Sequence, residues 1–242
     1  MDTDLYTANA EWYGALSAPW QEATEAAVGE LLGEIPGGIA VDLGAGTGTC
    51  LPLLDGSGAE RLVAVEPSRS MRAGLVATLA AHPGLLNRTT VVPDAWPAAL
   101  RRLPDRWSAA VMLNAVGHLT DDARLRLWET LAERLVPGGR FVVALQPPER
   151  ATSIPWTDFG TVPIGDDRVH SRGRAEPLDE HTVEWTMEWT LTDADGHVVE
   201  RRTSAHSWRA LGVEELSDEA TAHGLTRVGA VGSCVGFVRP GA

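Results

Sequence analysis

The sequence predicts an α/β protein with a doubly wound, mostly parallel sheet and an antiparallel β insertion after the fifth strand. Strand-like apolar segments alternate with helical segments between residues 39 and 146, which predicts right-handed crossovers and parallel pairing. From about residue 151 to residue 207 the helical periodicity disappears, and apolar residues alternate with polar ones. A last helical segment and a closing pair of strands, "LTRVGAV" and "CVGFV", follow.

The first half of the chain begins with a helical region. Apolar residues recur at helical spacing over the first thirty-five residues, with a predicted break at Ser17-Ala18-Pro19. A short helix is expected over about residues 47–54. The predicted parallel strands are the segments "IAVDL", "RLVAVE", "TTVVPD", "WSAAVMLNA" and "RFVVALQ".

Longer helices are predicted between the later strands. "SRSMRAGLVATLAAH" begins at a cap residue, either Ser68 or Ser70, because a serine hydroxyl can accept a hydrogen bond from a free backbone N–H of the first turn. "DDARLRLWETLAERLVPGG" predicts an amphipathic helix that Asp121 or Asp122 caps and that Pro137-Gly138-Gly139 ends. "GVEELSDEATAHG" predicts the last helix.

The insertion has the pattern of an antiparallel sheet with one apolar face. In "TVEWTMEWTL" the apolar residues from Val183 to Leu191 occupy every second position, and "DADG" then turns the chain into "HVVERRTSAHSW". The predicted organisation is an N-terminal helical cap over residues 1–38, a core over residues 39–150 and 208–242, and the insertion over residues 151–207.

Composition excludes several classes of function. The 33 acidic and 20 basic residues give a formal net charge of −13, which disfavours nucleic acid and an anionic membrane surface as partners. The sequence contains no lysine, so no Schiff-base or phosphate-loop lysine is present. Two cysteines are too few for a disulfide framework, and no histidine spacing is typical of a metal site. The acidic, polar N-terminus does not resemble a secretory signal, and a cytoplasmic protein is expected.

The stretch "VDLGAGTG" places a glycine turn directly after a strand. Gly44, Gly46 and Gly48 alternate, and a dinucleotide fingerprint would need a third glycine where Thr49 stands. Glu66 ends the next strand, where a carboxylate can accept hydrogen bonds from both hydroxyls of a ribose. This pair of features is compatible with a nicotinamide dinucleotide or with another adenosine-containing cofactor.

A third feature separates those alternatives. Asp94 and Trp96 follow the third strand, where an acid can accept a hydrogen bond from the exocyclic amine of an adenine and an aromatic ring can flank the base. The glycine turn, the acid of the second strand and the acid of the third strand form an ordered set over residues 41–96. Asp94 could instead cap the following helix.

With these motifs the chain resembles the class I S-adenosylmethionine-dependent methyltransferases of the small-molecule type. The matching segments are "VDLGAGTG", "VAVEPSRSM", "PDAW", "VMLNAVGHLTD" and "LVPGGRFVV", and the resemblance covers almost the whole length. It implies a Rossmann-like sheet of seven strands whose last two are antiparallel, with the insertion covering the acceptor pocket. It also implies S-adenosyl-L-methionine as the cofactor.

The resemblance assigns cofactor-binding roles by position. The glycine turn would lie along the methionine half, Glu66 would hold the ribose, and Asn114 would lie near the methionine end. The residues that would bind the cofactor are Asp42, Gly44, Ala45, Gly46, Gly48, Glu66, Pro67, Met71, Asp94, Ala95, Trp96 and Asn114.

His118 is the candidate catalytic residue, because imidazole is suited to proton transfer near neutral pH. The alternative is a structural histidine that bonds backbone at a helix entry. Trp107, Trp128 and Trp208 are expected in the core. His206 and other histidines of the insertion could face the pocket. The candidate acceptor-binding residues are Trp12, Tyr13, His118, Trp156, Trp185 and Trp189. Trp185 and Trp189 could form the wall of a pocket for a flat ligand or could simply pack on the larger sheet. Trp12 and Tyr13 are candidates for a lid, and Trp156 could close the mouth of the pocket.

The function predicted from these features is methyl transfer, by in-line displacement, to an oxygen, nitrogen or carbon atom of a small acceptor. The segment Asn114-Ala115-Val116-Gly117 lacks the Asn-Pro-Pro-aromatic pattern of enzymes that methylate DNA bases or protein glutamine. Composition makes an aromatic, specialised-metabolite acceptor plausible, and the chain is expected to be a monomer or a homodimer. The alternatives are an NAD(P)-dependent oxidoreductase and a cofactor-binding partner protein without catalytic activity.

Overall fold

A computed structural model describes Asp4 and residues 6–241. Its helices are α1 (Ala10–Leu32), α2 (Leu51–Gly56), α3 (Arg69–Ala81), α4 (Pro83–Leu86), α5 (Asp121–Arg134) and α6 (Val213–Ala222). Its strands are β1 (Ile39–Leu43), β2 (Arg61–Val65), β3 (Thr89–Val92), β4 (Trp107–Leu113), β5 (Leu135–Ala144), β6 (Ile154–Ile164), β7 (Asp167–Pro177), β8 (Thr182–Thr192), β9 (Val198–Arg209), β10 (Thr226–Val231) and β11 (Cys234–Val238).

The larger sheet has seven strands in the order β10-β11-β5-β4-β1-β2-β3. Strands β1 to β5 pair in parallel, whereas β11 is antiparallel to both β5 and β10. The predicted fold class is confirmed. The strand order reverses between β1 and β4, and in an open α/β sheet the crevice at the carboxyl ends of such strands is where ligands bind.

Helices cover both faces of this sheet because its central strands are apolar on both sides. On one face, Val41 and Phe141 pack with the apolar side of α5 and α6, including Trp128. On the other face, Ala40 and Val142 pack with α1, α2 and α3. Burial on both faces is typical of parallel strands and explains their nearly continuous apolar segments.

The insertion forms a separate antiparallel sheet in the order β6-β7-β8-β9. Its apolar face carries Val183, Trp185 and Trp189, as the alternation in the sequence predicts, and all three are buried. Trp189 packs against Trp12 and Leu16, so α1 connects the insertion to the larger sheet.

The predicted break at Ser17-Ala18-Pro19 is wrong, because α1 continues through Pro19. Proline removes one backbone donor from the helix. Contacts made on both sides of it, by Leu16 with the insertion and by Val28 with the larger sheet, hold a single helix across that position.

Some predicted helix ends are also corrected. Ser68 caps α3, accepting a hydrogen bond from the Met71 N–H at 3.0 Å, as one of the two alternatives predicted. Thr120, not Asp121 or Asp122, caps α5, accepting from the Ala123 N–H at 3.2 Å. Both carboxylates lie in the first turn, where they still interact favourably with the helix dipole.

The remaining boundary corrections concern glycine-containing segments. Helix α5 ends at Arg134, and Pro137-Gly138-Gly139 lies inside β5, where the Gly138 N–H donates to the Arg239 carbonyl at 2.8 Å. Helix α2 begins at Leu51 and not near residue 47, because residues 44–48 are used by the glycine turn.

No helix within residues 6–241 has the length and apolar character that a membrane crossing requires.

Candidate functional site

The glycine turn leaves β1 at the strand-order reversal and has a left-handed backbone. Gly44, Gly46 and Gly48 have φ values of 85°, 55° and 81°. A Cβ atom on Gly44 would lie 2.8 Å from the Ala115 Cβ, whereas one on Gly46 would meet nothing within 4 Å. Close packing therefore requires glycine at position 44, and the backbone at Gly46 is open to a ligand.

Hydrogen bonds fix this turn to β2. The N–H groups of Gly44 and Ala45 both donate to the Val65 carbonyl, at 2.8 and 2.9 Å. The Gly46 N–H donates to Glu66 Oε2 at 2.8 Å, and the Ser68 N–H donates to Glu66 Oε1 at 2.7 Å. Glu66 is only 4% exposed, and burial raises the pKa of its carboxyl although these hydrogen bonds lower it. Glu66 therefore fixes the backbone of the glycine turn and also places a carboxylate beside that turn.

Asp42 is the second buried acid at the turn. It is 2% exposed, and its Oδ2 atom has no hydrogen-bond partner among the described residues. Burial, with a smaller contribution from the charge on Glu66, raises the pKa of Asp42 to about 7. A buried carboxylate without a partner is costly, so this position favours a ligand that brings a positive charge or hydrogen-bond donors.

A cavity of about 120 Å³ lies between the turn and α1. We call it the glycine-turn cavity. The residues that define it include Tyr13, Gln21, Asp42, Gly46, Thr47 and Asn114. The structure therefore brings the predicted residues Asp42, Gly44, Ala45, Gly46 and Asn114 to one cavity with Tyr13.

Other residues predicted to bind the cofactor lie outside the lining of this cavity, around the ends of β2 and β3. Pro67 and Ala95 are exposed and Met71 is buried. Asp94 forms an ion pair with Arg101, at 2.9 Å from Asp94 Oδ1, while its Oδ2 is buried without a hydrogen bond among the described residues.

Trp96 and Gly48 also lie outside that lining. The Trp96 indole N–H donates to the Ala123 carbonyl at 2.8 Å, which fixes the ring against the start of α5. A Cβ atom on Gly48 would lie 2.6 Å from the Leu75 side chain, so glycine is needed here for contact between the turn and α3.

A second cavity, of about 110 Å³, lies beside the first and is called the histidine cavity. From the N-terminal segment and the larger sheet it is lined by Tyr6, Asn9, Tyr13, Asn114, His118 and Gln146. From the insertion it is lined by Met187, Trp189, Ser204, His206 and Trp208. Tyr13 and Asn114 line both cavities, so the cavities meet at these side chains. Asn114 has a left-handed backbone, with φ of 51°, at the end of β4.

His118 lines the histidine cavity and contacts several of its other side chains. Its Nε2 is 3.0 Å from the Tyr6 hydroxyl, and its ring centroid is 5.5 Å from that of His206 and 4.8 Å from that of Trp208. Burial, followed by the proximity of His206, lowers the pKa of His118 to about 4, and burial lowers the pKa of His206. Both imidazoles are therefore neutral at pH 7.

The predicted acceptor-binding residues are only partly brought together. Tyr13, His118 and Trp189 line the histidine cavity, whereas Trp12, Trp156 and Trp185 do not. Trp12 packs under the Arg202 guanidinium, 3.9 Å from its ring centroid, and Trp185 packs with Val183. Trp156 is exposed, with the guanidinium groups of Arg172 and Arg174 near its ring, at 4.7 and 5.4 Å.

Sequence reasoning missed several residues of this cavity. Trp208, expected in the core, is buried but also forms a wall of the cavity. Tyr6 and Asn9 precede Tyr13 by seven and four residues, a helical spacing that could have grouped them on one face. Gln146 lies two residues after the end of β5, at the ligand-binding edge of the sheet.

A larger cleft of about 580 Å³, called the outer cleft, shares His118 and Trp208 with the histidine cavity. Its charged lining residues are Asp121, Asp179, Glu180 and Arg209. Arg209 already lies near acids, 3.3 Å from Glu215 and 3.6 Å from Asp121. The charge of the cleft is therefore predominantly negative.

Among the described residues, one group of metal-ligand type side chains lies outside the lining of these cavities. At the β8–β9 turn the potential donor atoms of Asp193, Asp195 and His197 lie within 4.8 Å of one another. Asp193 Oδ1 accepts hydrogen bonds from the N–H groups of Asp195 and His197, at 3.0 and 2.8 Å. These bonds account for the turn.

The chain matches one protein-family model and several solved structures. Residues 19–214 match the family described as "Methyltransferase domain". The crystal structure of DesVI from Streptomyces venezuelae aligns with a TM-score of 0.70 and 22% identity, over 100% of this chain and 99% of that chain. The CcbJ methyltransferase from Streptomyces caelestis aligns with a TM-score of 0.69 and 23% identity, over 100% of both chains.

A third similar structure is the S-adenosylmethionine-bound CalS10 from Micromonospora echinaspora, an amino pentose methyltransferase involved in calicheamicin biosynthesis. It aligns with a TM-score of 0.69 and 19% identity, over 95% of each chain. At these identities the similarity establishes a shared fold. No curated protein gives a significant sequence match.

Proposed function

The chain belongs to the methyltransferase-domain family, and we propose that it transfers a methyl group from S-adenosyl-L-methionine to a small acceptor. The observation that carries the proposal is that the glycine-turn cavity and the histidine cavity meet at Tyr13 and Asn114. A methyl donor in the first cavity and an acceptor in the second would face each other across that junction.

The glycine-turn cavity and the acids at the ends of β2 and β3 together fit S-adenosylmethionine. The unpartnered Oδ2 of Asp42 is suited to the ammonium of the methionine part, and the open backbone at Gly46 permits close approach. Glu66 retains free lone pairs for ribose hydroxyls, since each oxygen accepts one described hydrogen bond. At the end of β3, Asp94 Oδ2 has no hydrogen-bond partner among the described residues and lies 3.8 Å from the Arg102 guanidinium; it would accept a hydrogen bond from the exocyclic amine of an adenine.

When bound, S-adenosylmethionine supplies a methyl group that a sulfonium activates and that leaves behind a neutral thioether. The chain therefore has no poor leaving group to stabilise. Its task is to hold the acceptor atom at about 3–3.5 Å from the methyl carbon, opposite the sulfur. The start of α1 and strands β8 and β9 cover the histidine cavity and would exclude water from it.

His118 is proposed to contact the acceptor as a neutral imidazole. With a pKa of about 4 it is a weak base at pH 7, which supports a positioning role more than a general-base role. The pair of hydrogen-bonding groups formed by Tyr6 and His118 can orient a hydroxyl or an amine. Replacing His118 with Ala should raise the KM for the acceptor more than it lowers kcat. A proton-transfer role would instead change kcat and its pH profile.

The acceptor is proposed to be a small specialised metabolite that reacts through nitrogen or oxygen. The outer cleft adjoins the histidine cavity through His118 and Trp208 and would hold the rest of such a molecule. Its carboxylates disfavour an anionic body and are compatible with a neutral or amine-bearing one. One of the similar structures, CalS10, is an amino pentose methyltransferase, and an amino pentose is an amine-bearing molecule.

The test is transfer of label from methyl-tritiated S-adenosylmethionine to amino sugar and phenol probes. Labelled product, lost in Glu66→Ala and retained in Glu129→Ala on the exposed side of α5, would support the proposal. Binding of S-adenosylhomocysteine without transfer to any probe would favour the alternative of a cofactor-binding partner protein. The oxidoreductase alternative is not favoured, because the chain belongs to a methyltransferase family.

A further inference from the structure

Asn9 precedes the first residue of α1 and is buried, with 9% of its surface exposed. Asparagine at such a position usually accepts a hydrogen bond from a backbone N–H of the first helical turn. Asn9 makes no such bond, and its Oδ1 has no hydrogen-bond partner among the described residues. Asn9 is also one of the residues that line the histidine cavity.

The other helix starts show that this is not the general behaviour of the chain. Ser68 and Thr120 occupy the corresponding positions of α3 and α5, and both accept a hydrogen bond from a first-turn N–H, at 3.0 and 3.2 Å. Both the missing cap bond and the buried, unpaired oxygen at Asn9 reduce stability. A hydrogen-bond donor supplied by a ligand would remove the second cost.

The surroundings indicate what kind of ligand could supply it. The residues described as lining the histidine cavity are aromatic, apolar or neutral polar, with no carboxylate or guanidinium among them. His118 and His206 are uncharged at pH 7, and the Tyr6 hydroxyl is bonded to His118. A cavity of about 110 Å³ with aromatic walls suits a group the size of one ring.

We propose that Asn9 is a positioning residue whose Oδ1 accepts a hydrogen bond from the N–H or O–H of an uncharged, ring-sized acceptor group. The inference rests on the proposed function and specifies the form in which the acceptor binds: as a neutral amine or hydroxyl, not as an ammonium. The hydrogen bond directs the nucleophilic atom by fixing where its hydrogen points. Its remaining lone pair is then free to face the junction at Tyr13 and Asn114.

A matched pair of probes tests this inference without knowledge of the natural acceptor. Phenol has an O–H donor, whereas anisole has the same ring and no donor. Dissociation constants for both are measured by saturation-transfer NMR, with and without saturating S-adenosylhomocysteine. The wild-type protein should bind phenol about tenfold more tightly than anisole, the effect of one hydrogen bond to a buried acceptor.

The variants assign the preference to one atom. Asn9→Ala should reduce the phenol-to-anisole ratio to about one, whereas Asn9→Asp, which retains an acceptor oxygen, should preserve it. Glu129→Ala, on the exposed side of α5 and outside the cavity, should also preserve it. Thermal unfolding supplies an independent control: Asn9→Ala loses no cap bond and should unfold no earlier than wild type, unlike Thr120→Ala.

Equal affinities of wild type for the two probes, an unchanged preference in Asn9→Ala, or no saturable binding of phenol would each overturn the inference. Failure of the proposed function would give a different result. No variant would then bind S-adenosylhomocysteine, while the preference for phenol would still be seen in the measurements made without S-adenosylhomocysteine.

Discussion

The two adjoining cavities contain buried ionisable groups of opposite kinds. In the glycine-turn cavity Asp42 is a buried acid with its pKa raised to about 7, and the nearby Glu66 also has a raised pKa. In the histidine cavity His118 and His206 are buried bases whose pKa values are lowered. Burial is the largest cause in each case, and it disfavours the charged form.

The difference indicates what each cavity is built to bind. An acid that is held close to its ionisation point, with a free oxygen, gains from a cationic ligand, whereas neutral imidazoles beside aromatic rings gain nothing from one. The proposed methyl donor carries positive charge, and the proposed acceptor must be neutral at the atom that reacts.

Acid should destabilise the protein through His118. Its folded pKa of about 4 lies below the unfolded value of 6.5, so the unfolded state binds the proton first and stability is lost as pH falls from about 6.5 to 4. The loss attributable to this residue is about 3 kcal/mol. Urea unfolding at several pH values should show a flatter profile for His118→Asn. The exposed His197→Asn should follow the wild-type profile, and equally steep profiles for all three proteins would contradict the account.

Removing the carboxylate of Glu66 should weaken S-adenosylhomocysteine binding by about 100-fold, roughly 2.8 kcal/mol. The variant loses the proposed ribose contacts and also the bonds that hold the N–H groups of Gly46 and Ser68. Calorimetric titration of Glu66→Ala checks this, with Glu129→Ala as a charge-matched control. Near-normal affinity in Glu66→Ala would remove the ribose assignment.

Asp42→Asn should have opposite effects on binding and on stability. S-adenosylhomocysteine affinity should fall about tenfold, because the amide cannot pair with an ammonium as a charge. Stability should rise relative to wild type, and more at pH 8 than at pH 5. The folded pKa of Asp42, about 7, lies above its unfolded value of 3.8. The wild-type protein therefore loses stability as the pH rises from about 3.8 to 7, whereas the amide variant does not. Differential calorimetry at both pH values measures the difference, and lower stability at pH 8 would contradict it.

The sequence predicts the larger sheet and the glycine turn well, because their signals are local. Alternating strands and helices determine the parallel sheet, and left-handed glycines mark the turn. The continuous α1 could not be predicted in this way. Its course through Pro19 depends on packing against Trp189 of the insertion, which lies far away in the sequence.

The histidine cavity was predicted only in part for the same reason. Strand alternation identifies the face that carries Trp185 and Trp189. It does not say that α1 packs against Trp189 while Trp185 packs with Trp208 of the neighbouring strand. Tyr6, Asn9 and Ser204 carry no motif, and the fold alone brings them together. Their assignment as binding residues remains a prediction.

Calorimetric titration of the purified protein with S-adenosylhomocysteine and, separately, with NAD decides whether the glycine-turn cavity binds S-adenosylmethionine. The account predicts micromolar binding of S-adenosylhomocysteine, weakened in Glu66→Ala and Asp42→Asn, and no binding of NAD. Binding of NAD instead, or S-adenosylhomocysteine affinity that neither substitution changes, would contradict it.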